Sequence, residues 1–505
     1  MSEQNSTAHV NSSIRWDISI LLMLFISGIL LRILLIAPNG FDGLYGQDPY
    51  AYYDFASELR TSLTEGRAPG AFFWPLGYPA LLAAAHAIFG TQPSTGQAIS
   101  ILMGAALAPL VYIFARQLGT GRLGALIAGI LMGICGQALQ SSVVIMADIP
   151  ALFWAMVSVV ILWRYIRNPD QTPAIPSIFL SALILALACI TRWLYLILAV
   201  PWALALLMVW KGRIRWRASL FGIVAALLIF VPQLLYSRND PYPVLNHAWV
   251  EGWSPANVFR QVFDNVDGHF EYEKINGVYY AQPFYDAYYL APIFTLFLLI
   301  GLVALFRDKR YAALLMLLGW GLLPYFFLAG IPYQNIRFPL IVFPAVAILA
   351  GVGLERTAGW VSCLTRPSIA YIALFALMIF GASQTLSAST SLIDTFITNQ
   401  QRDKQSAAWT GEHVPSGATL YTFGLTLTLK HYTTLNVYEI FYETPDTLNQ
   451  KWTHGQNDYL LLNVWNIENQ WAGRDPQADY HWLRDKRGLV EIGKFGYYTL
   501  FRING

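Results

Sequence analysis

The sequence predicts a polytopic α-helical membrane protein of about eleven spans with a small α/β domain at its C-terminal end. Three observations predict it. Of 505 residues, 56% are hydrophobic and only 12% charged, about half the charge of a soluble domain. Long apolar runs recur through the first 388 residues, each near the roughly 20 residues needed to cross a hydrocarbon core about 30 Å thick. Beyond about residue 390 the chain regains charge and breaks into short strand-like runs.

The composition also excludes classes. So few charges rule out an ordinary soluble enzyme and a disordered chain. Lys and Arg number 32 against 30 Asp and Glu, so no nucleic-acid partner is expected. Aromatics reach 15%, which suits interfacial belts or an aromatic-rich cavity. Cys135, Cys189 and Cys363 are far apart and form no metal or disulfide pattern. The first apolar run is too long for a signal-peptide core and lacks a small-residue cleavage site, so no cleavable signal is expected.

The spans are expected near 17–37, 97–116, 123–141, 146–163, 176–191, 194–210, 217–236, 286–306, 311–329, 337–355 and 368–388. The stretch 176–210 is too long for one span, and Arg192 and Pro201 divide it into two short helices. The short basic loops set the orientation: Arg116 with Arg122, Arg164 with Arg167, Lys211 with Arg213, Arg215 and Arg217, Arg307 with Lys309 and Arg310, and Arg356 with Arg366. Eleven crossings put all of them on one face with Arg15, which should be cytoplasmic. The expectation is a multi-pass protein of the plasma (inner) membrane with a cytoplasmic N-terminus. Outer loops 38–96 and 237–285 then lie outside, as does everything after residue 388. The apolar run 75–90 is short, and counting it as a crossing would invert every later loop. It is therefore expected to lie in the outer interface. Residues 1–389 form the membrane domain and 390–505 the extracytoplasmic α/β domain. Its strands are expected at 418–423, 435–438, 459–464, 490–493 and 497–503, with helices at 402–412 and 476–486.

Polar groups at the outer rim are the candidate site. Asp48, in Gly46-Gln47-Asp48-Pro49-Tyr50, reads either as a base or metal ligand or as the start of a helix. Asp148, followed by Pro150, reads the same two ways, and an ionised carboxylate there needs a wet cavity or the rim. Arg192 and Arg337 are rim cations suited to an anionic lipid headgroup, or else they snorkel or pair with Asp48 and Asp148. Tyr333 and Gln334 cluster beside Arg337. Arg32 reads as an interfacial snorkeler. Tyr52, Tyr53 and Trp253 offer aromatic faces that suit a sugar, with plain interfacial anchoring as the alternative. His86 reads as structural. The sequence has no phosphate loop, HExxH or paired CxxC.

These features together resemble the GT-C superfamily of polytopic glycosyltransferases, most of all the branch of protein O-mannosyltransferases and lipid A aminoarabinose transferases. Four places carry the likeness: Asp48-Pro49-Tyr50, Phe73-Trp74-Pro75-Leu76-Gly77-Tyr78-Pro79, Asp148, and Arg337-Phe338-Pro339 leading to Phe343-Pro344. Pro49 stands where the family usually has a second acid. The Trp-Trp-Asp acceptor motif of oligosaccharyltransferases is missing, which disfavours oligosaccharide transfer to asparagine. The resemblance implies an inverting transfer of sugar from a polyprenyl-phosphate donor to a hydroxyl acceptor (protein, lipid or glycan) at the outer face of the bilayer. In it Asp48 is the base and Asp148 orients the acceptor. Arg337, with Arg192 and Tyr333, binds the donor phosphate. Tyr52, Tyr53 and Trp253 meet substrate. No cofactor is required by these residues, and a divalent metal at Asp48 and Asp148 is left open. The rivals are a transporter or flippase of a lipid-linked sugar and a membrane-anchored binding or sensor protein.

Overall fold

The computed structural model describes every residue except 1, 169, 171, 210–215, 240–249, 452–457 and 505. The membrane part starts with α1 (Ser2–Ile36), followed in the first long loop by α2 (Asp48–Glu65) and α3 (Gly77–Phe89). Next come α4 (Pro93–Gln117), α5 (Arg122–Ile134), α6 (Gly136–Ser142), α7 (Asp148–Arg167), α8 (Ala174–Thr191), α9 (Ala199–Val209) and α10 (Trp216–Tyr236). The second long loop holds a hairpin, β1 (Val262–Asn265) with β2 (Gly268–Glu271), and the short α11 (Asn276–Tyr280). Helices α12 (Thr295–Arg307), α13 (Tyr311–Ala329), α14 (Phe343–Leu364) and α15 (Pro367–His413) follow.

Among the described residues, eight helices are long and apolar enough to cross a membrane. The α5–α6 pair, bent by 54°, makes a ninth. Shorter apolar helices at Trp193–Leu207 and Pro292–Arg307 stand where the sixth and eighth spans were expected. The expected interfacial segment is α3, only 13 residues long. Helix α14 lies at the centre, with 94% of its apolar window buried. Glycines let its backbone touch its neighbours. A Cβ at Gly351 would come within 2.3 Å of the Gly124 carbonyl, and one at Gly301 within 2.1 Å of the Leu349 carbonyl.

The basic loops meet at one end of the bundle. Arg122 pairs with Asp17 at 3.0 Å, Arg167 donates to the Arg116 carbonyl, Arg310 to that of Leu118, and Arg356 pairs with Asp308. The loop holding Lys211, Arg213 and Arg215 lies outside the described residues. Arg32 departs from expectation. It is fully buried, donating to Ser142 Oγ (2.7 Å) and to the Gly28 and Gly104 carbonyls (2.9 and 3.1 Å). Gly104 lacks the side chain that would block this approach, so the guanidinium turns inward instead of reaching the interface.

The C-terminal domain contains β3 (Thr419–Thr422), α16 (Thr426–Tyr432), β4 (Asn436–Glu439), α17 (Pro445–Lys451), β5 (Asp458–Leu462), α18 (Val464–Asn469), α19 (Asp475–Trp482), β6 (Leu489–Phe495) and β7 (Tyr498–Ile503). The sheet order is β4-β3-β5-β7-β6, with β3, β4 and β5 parallel and β6 and β7 antiparallel to their neighbours. All five strands stand within a residue or two of their expected places. Strand alternation divides the interior in two. Leu420, Leu461 and Leu500 face Ala407 and Leu429 on one side, while Tyr421, Leu460 and Leu462 face Leu448, Ile467 and Leu483 on the other. The expected boundary at 389/390 falls inside α15, which runs unbroken to His413. The composition changes there because the helix leaves the apolar phase, not because it stops.

Candidate active site

Asp48 and Asp148 are each the first residue of a helix, α2 and α7, with Pro49 and Pro150 in the first turns. Proline is pre-organised for that position and an acid there favours the helix dipole. Neither helix has a side-chain cap, so both carboxylates remain available. They are engaged by arginines. Asp48 Oδ2 lies 3.2 Å from Arg337 Nη2, and Arg337 Nη1 lies 3.9 Å from Asp148 Oδ2. Asp148 Oδ1 lies 2.6 Å from Arg192 Nη1. The result is a continuous line of alternating charge, Asp48–Arg337–Asp148–Arg192. Asn335 Oδ1 accepts from Arg337 Nε at 3.3 Å, and the Arg192 guanidinium lies 4.9 Å over the Phe338 ring.

All four charged groups line one cavity of about 460 Å³. The Asp48 side chain is 34% exposed and that of Asp148 only 4%, which separates their roles. Asp48 is reachable by a substrate, whereas Asp148 is positioned to hold the two arginines. Tyr52, stacked 4.9 Å from Trp74, forms part of the wall. Burial holds the Tyr52 phenol above its usual range, so it stays neutral and can donate a proton in a hydrogen bond. Trp74 and Pro75 reach the cavity because the chain turns at Gly77 against the α8 terminus. A Cβ there would be 2.7 Å from the Ile190 carbonyl. At Leu196 the cavity adjoins a second, apolar groove of about 440 Å³ between α8, α9 and α10.

The structure does not bring Tyr53, Tyr333 or Trp253 to the cavity wall. Tyr53 faces His86 and His431 at 5.5 and 5.9 Å, one position round the helix from Tyr52. Tyr333 packs 5.7 Å from Phe270 of the outer hairpin and 6.2 Å from Phe338. Trp253 donates to the Phe327 carbonyl at 2.9 Å and closes the end of α13. His86 is buried, as a structural residue would be. His247 and Trp249, which stand just before Trp253 in the loop 237–285, lie outside the described residues. Trp74, Met146 and Phe338 line the cavity without having been singled out. Trp74 and Phe338 were signalled only by the Trp-Pro and Arg-Phe-Pro segments that contain them, and Met146 only by its place two residues before Asp148. Among the described residues no three His, Cys, Asp or Glu side chains gather as a metal site.

The chain, a helical bundle with a small sheet domain beyond it, shares its fold with two solved membrane proteins. Residues 84–239 match the family described as dolichyl-phosphate-mannose-protein mannosyltransferase. That stretch contains Asp148 and Arg192. ArnT from Cupriavidus metallidurans, solved with undecaprenyl phosphate, superposes with a TM-score of 0.63 at 13% identity, over 97% of this chain and 98% of that one. AglB, the oligosaccharyltransferase of Archaeoglobus fulgidus, solved with an inhibitory peptide and a dolichol-phosphate, superposes at 0.63 with 12% identity, over 97% and 74%. No curated protein matches the chain significantly by sequence.

Proposed function

We propose that the chain is an inverting glycosyltransferase that moves one sugar from a polyprenyl-phosphate donor to a hydroxyl acceptor at the outer face of a membrane. The carrying observation is the Asp48–Arg337–Asp148–Arg192 line on a cavity that adjoins an apolar groove. The two fold neighbours, solved with undecaprenyl phosphate and dolichol-phosphate, support a donor of that class. The lipid tail lies in the groove and the phosphate beside Arg192 and Arg337. The acceptor oxygen attacks the anomeric carbon while the bond to the phosphate oxygen breaks. The acceptor proton passes to Asp48, and the arginines hold the charge gathering on the leaving phosphate. Before the donor arrives, Arg337 neutralises Asp48. A bound phosphate competes for that guanidinium and leaves the Asp48 carboxylate free to meet the acceptor hydroxyl. Mass spectrometry of products from a panel of polyprenyl-phosphate sugars and hydroxyl acceptors tests this reading. A panel with no transferred sugar, from protein that still binds undecaprenyl phosphate, overturns it.

The two carboxylates that would hold a divalent metal already share the Arg337 guanidinium. A second cation there would be repelled, so the residues do not fit a metal between the acids. Turnover is expected to stay within about two-fold after chelation with EDTA, against the 10²-fold or greater loss typical when a catalytic centre is lost. Strict dependence on added Mg²⁺ or Mn²⁺ would refute the assignment.

Eleven crossings, with the basic loops cytoplasmic and the sheet domain outside, complete the proposal. Ser416→Cys, at an exposed turn of that domain, should react with an impermeant thiol reagent added to intact cells. The native Cys363, exposed at the opposite end, should react only after permeabilisation. The reverse pattern inverts the topology.

A further inference from the structure

The residues just before Asp48 are held by the other end of the chain. Gln47 occupies the cap position of α2 but makes no side-chain cap. Its carboxamide reaches the C-terminal domain instead. Oε1 accepts from the Leu427 N–H at 3.2 Å, and Nε2 donates to Thr428 Oγ1 at 3.2 Å. Thr428 Oγ1 in turn donates to the Gly46 carbonyl at 3.0 Å. The Gly46 N–H donates to Asp403 Oδ2 of α15 at 2.8 Å. Gly46 has φ +60°, a left-handed conformation that a side chain would strain. One turn into α2, Tyr50 Oη donates to Tyr432 Oη at 3.2 Å, and burial pushes the Asp54 carboxyl up to about 6 against the pull of Lys430.

Gly46 is therefore held at its N–H by α15 and at its carbonyl by α16, and the Gln47 side chain by the start of α16, while the Gln47 carbonyl accepts from the Ala51 N–H within α2 at 3.0 Å. We infer that Gln47 is a positioning residue for the catalytic base, through which the C-terminal domain sets where Asp48 stands in the cavity. The inference rests on Asp48 being that base. An amide pair between two rigid helices has a narrow geometry. A misplacement of about 1 Å costs a base about 10²-fold, so loss of the pair should be read in turnover more than in donor binding.

The test uses the full chain in lipid nanodiscs, with undecaprenyl phosphate as the binding probe and the donor–acceptor pair found by the product panel. Gln47→Leu keeps the bulk and removes both hydrogen bonds. It should lower kcat about 10-fold or more, leave undecaprenyl phosphate affinity within about two-fold, and shift the acidic limb of the pH–rate profile. Thr428→Val should act in the same direction and the double variant should lose less than the sum, since both remove the Gln47–Thr428 bond while Thr428→Val also removes the bond to the Gly46 carbonyl. It serves also if Gln47→Leu does not fold. Gln47→Glu keeps the acceptor for Leu427 and should recover part of the rate. In an Asp48→Asn background, Gln47→Leu should change nothing further. If its effect persists undiminished there, Gln47 supports the fold in general and the inference falls. It also falls if Gln47→Leu turns over normally while Asp48→Asn does not. If Asp48→Asn itself turns over normally, the reading of Asp48 as base fails and takes the inference with it.

Discussion

Replacing Asp48 by asparagine is expected to lower turnover at least about 100-fold, the low end of what a general base supplies, or about 2.7 kcal/mol in the barrier. Asparagine keeps the size, and its carbonyl oxygen can still accept from Arg337. It cannot take the proton of an attacking hydroxyl. The helix start should survive, because Pro49 remains in the first turn of α2 with its pre-organised backbone. Donor binding should be preserved or improved, since Arg337 loses an anionic competitor. Initial rates at saturating substrate, with thermal unfolding as a control, check this. Near-normal turnover from folded Asp48→Asn protein would sink the assignment.

Arg337→Ala should have the broader effect. The guanidinium separates two carboxylates, and its side chain is only 13% exposed. Removing one partner of a buried ion pair costs about 3–5 kcal/mol. The variant should therefore lose stability, donor affinity and turnover together, with turnover down about 10²- to 10³-fold, as for other groups that stabilise transition-state charge. Arg337→Lys separates structure from chemistry. It restores the cation and most of the stability but not the planar fork that spans two anions, so it should recover only part of the rate. Undecaprenyl phosphate titrations and kcat on both variants give the answer. If Arg337→Ala changes neither affinity nor turnover, Arg337 is an anchor, and Arg192 becomes the phosphate ligand to test.

Asp148, Arg192 and Arg337 were legible because charge in or beside an apolar run demands an explanation, and Asp48 because an Asp-Pro pair stands shortly after the first span. Their pairing stood only as the alternative to phosphate binding, since Asp48 and Arg337 are far apart in sequence and meet only through the packing of α2 against the bundle. Arg32 was misread for the same reason. An arginine within a span suggests the interface, and only the small Gly104 opposite permits its burial. Aromatic character placed Tyr52 and Tyr53 on equal terms, yet successive helix positions point about 100° apart, and only Tyr52 faces the cavity. Gln47 carried no signal at all. A glutamine in an outer loop is unremarkable until its partner, 380 residues away, is seen. The strands were readable from local alternation, while the length of α15 was obscured by its change of composition.

Helix α15 has 47 residues, so it is about 70 Å long against a hydrocarbon core of about 30 Å. More than half of its length exceeds such a core and forms a mast packed on one side against the protein, where Phe396, Gln400 and Asp403 touch the segment that leads to Asp48. A mast of this kind has a phase as well as a height. One inserted residue would turn everything beyond it by about 100° and lift it by 1.5 Å, carrying the sheet domain around the axis and away from the loop it holds. Seven inserted residues, close to two full turns, would restore the bearing but raise the domain by about 10 Å. The length of this helix is thus a quantity that the catalytic geometry itself fixes, although every residue that sets it lies outside the cavity.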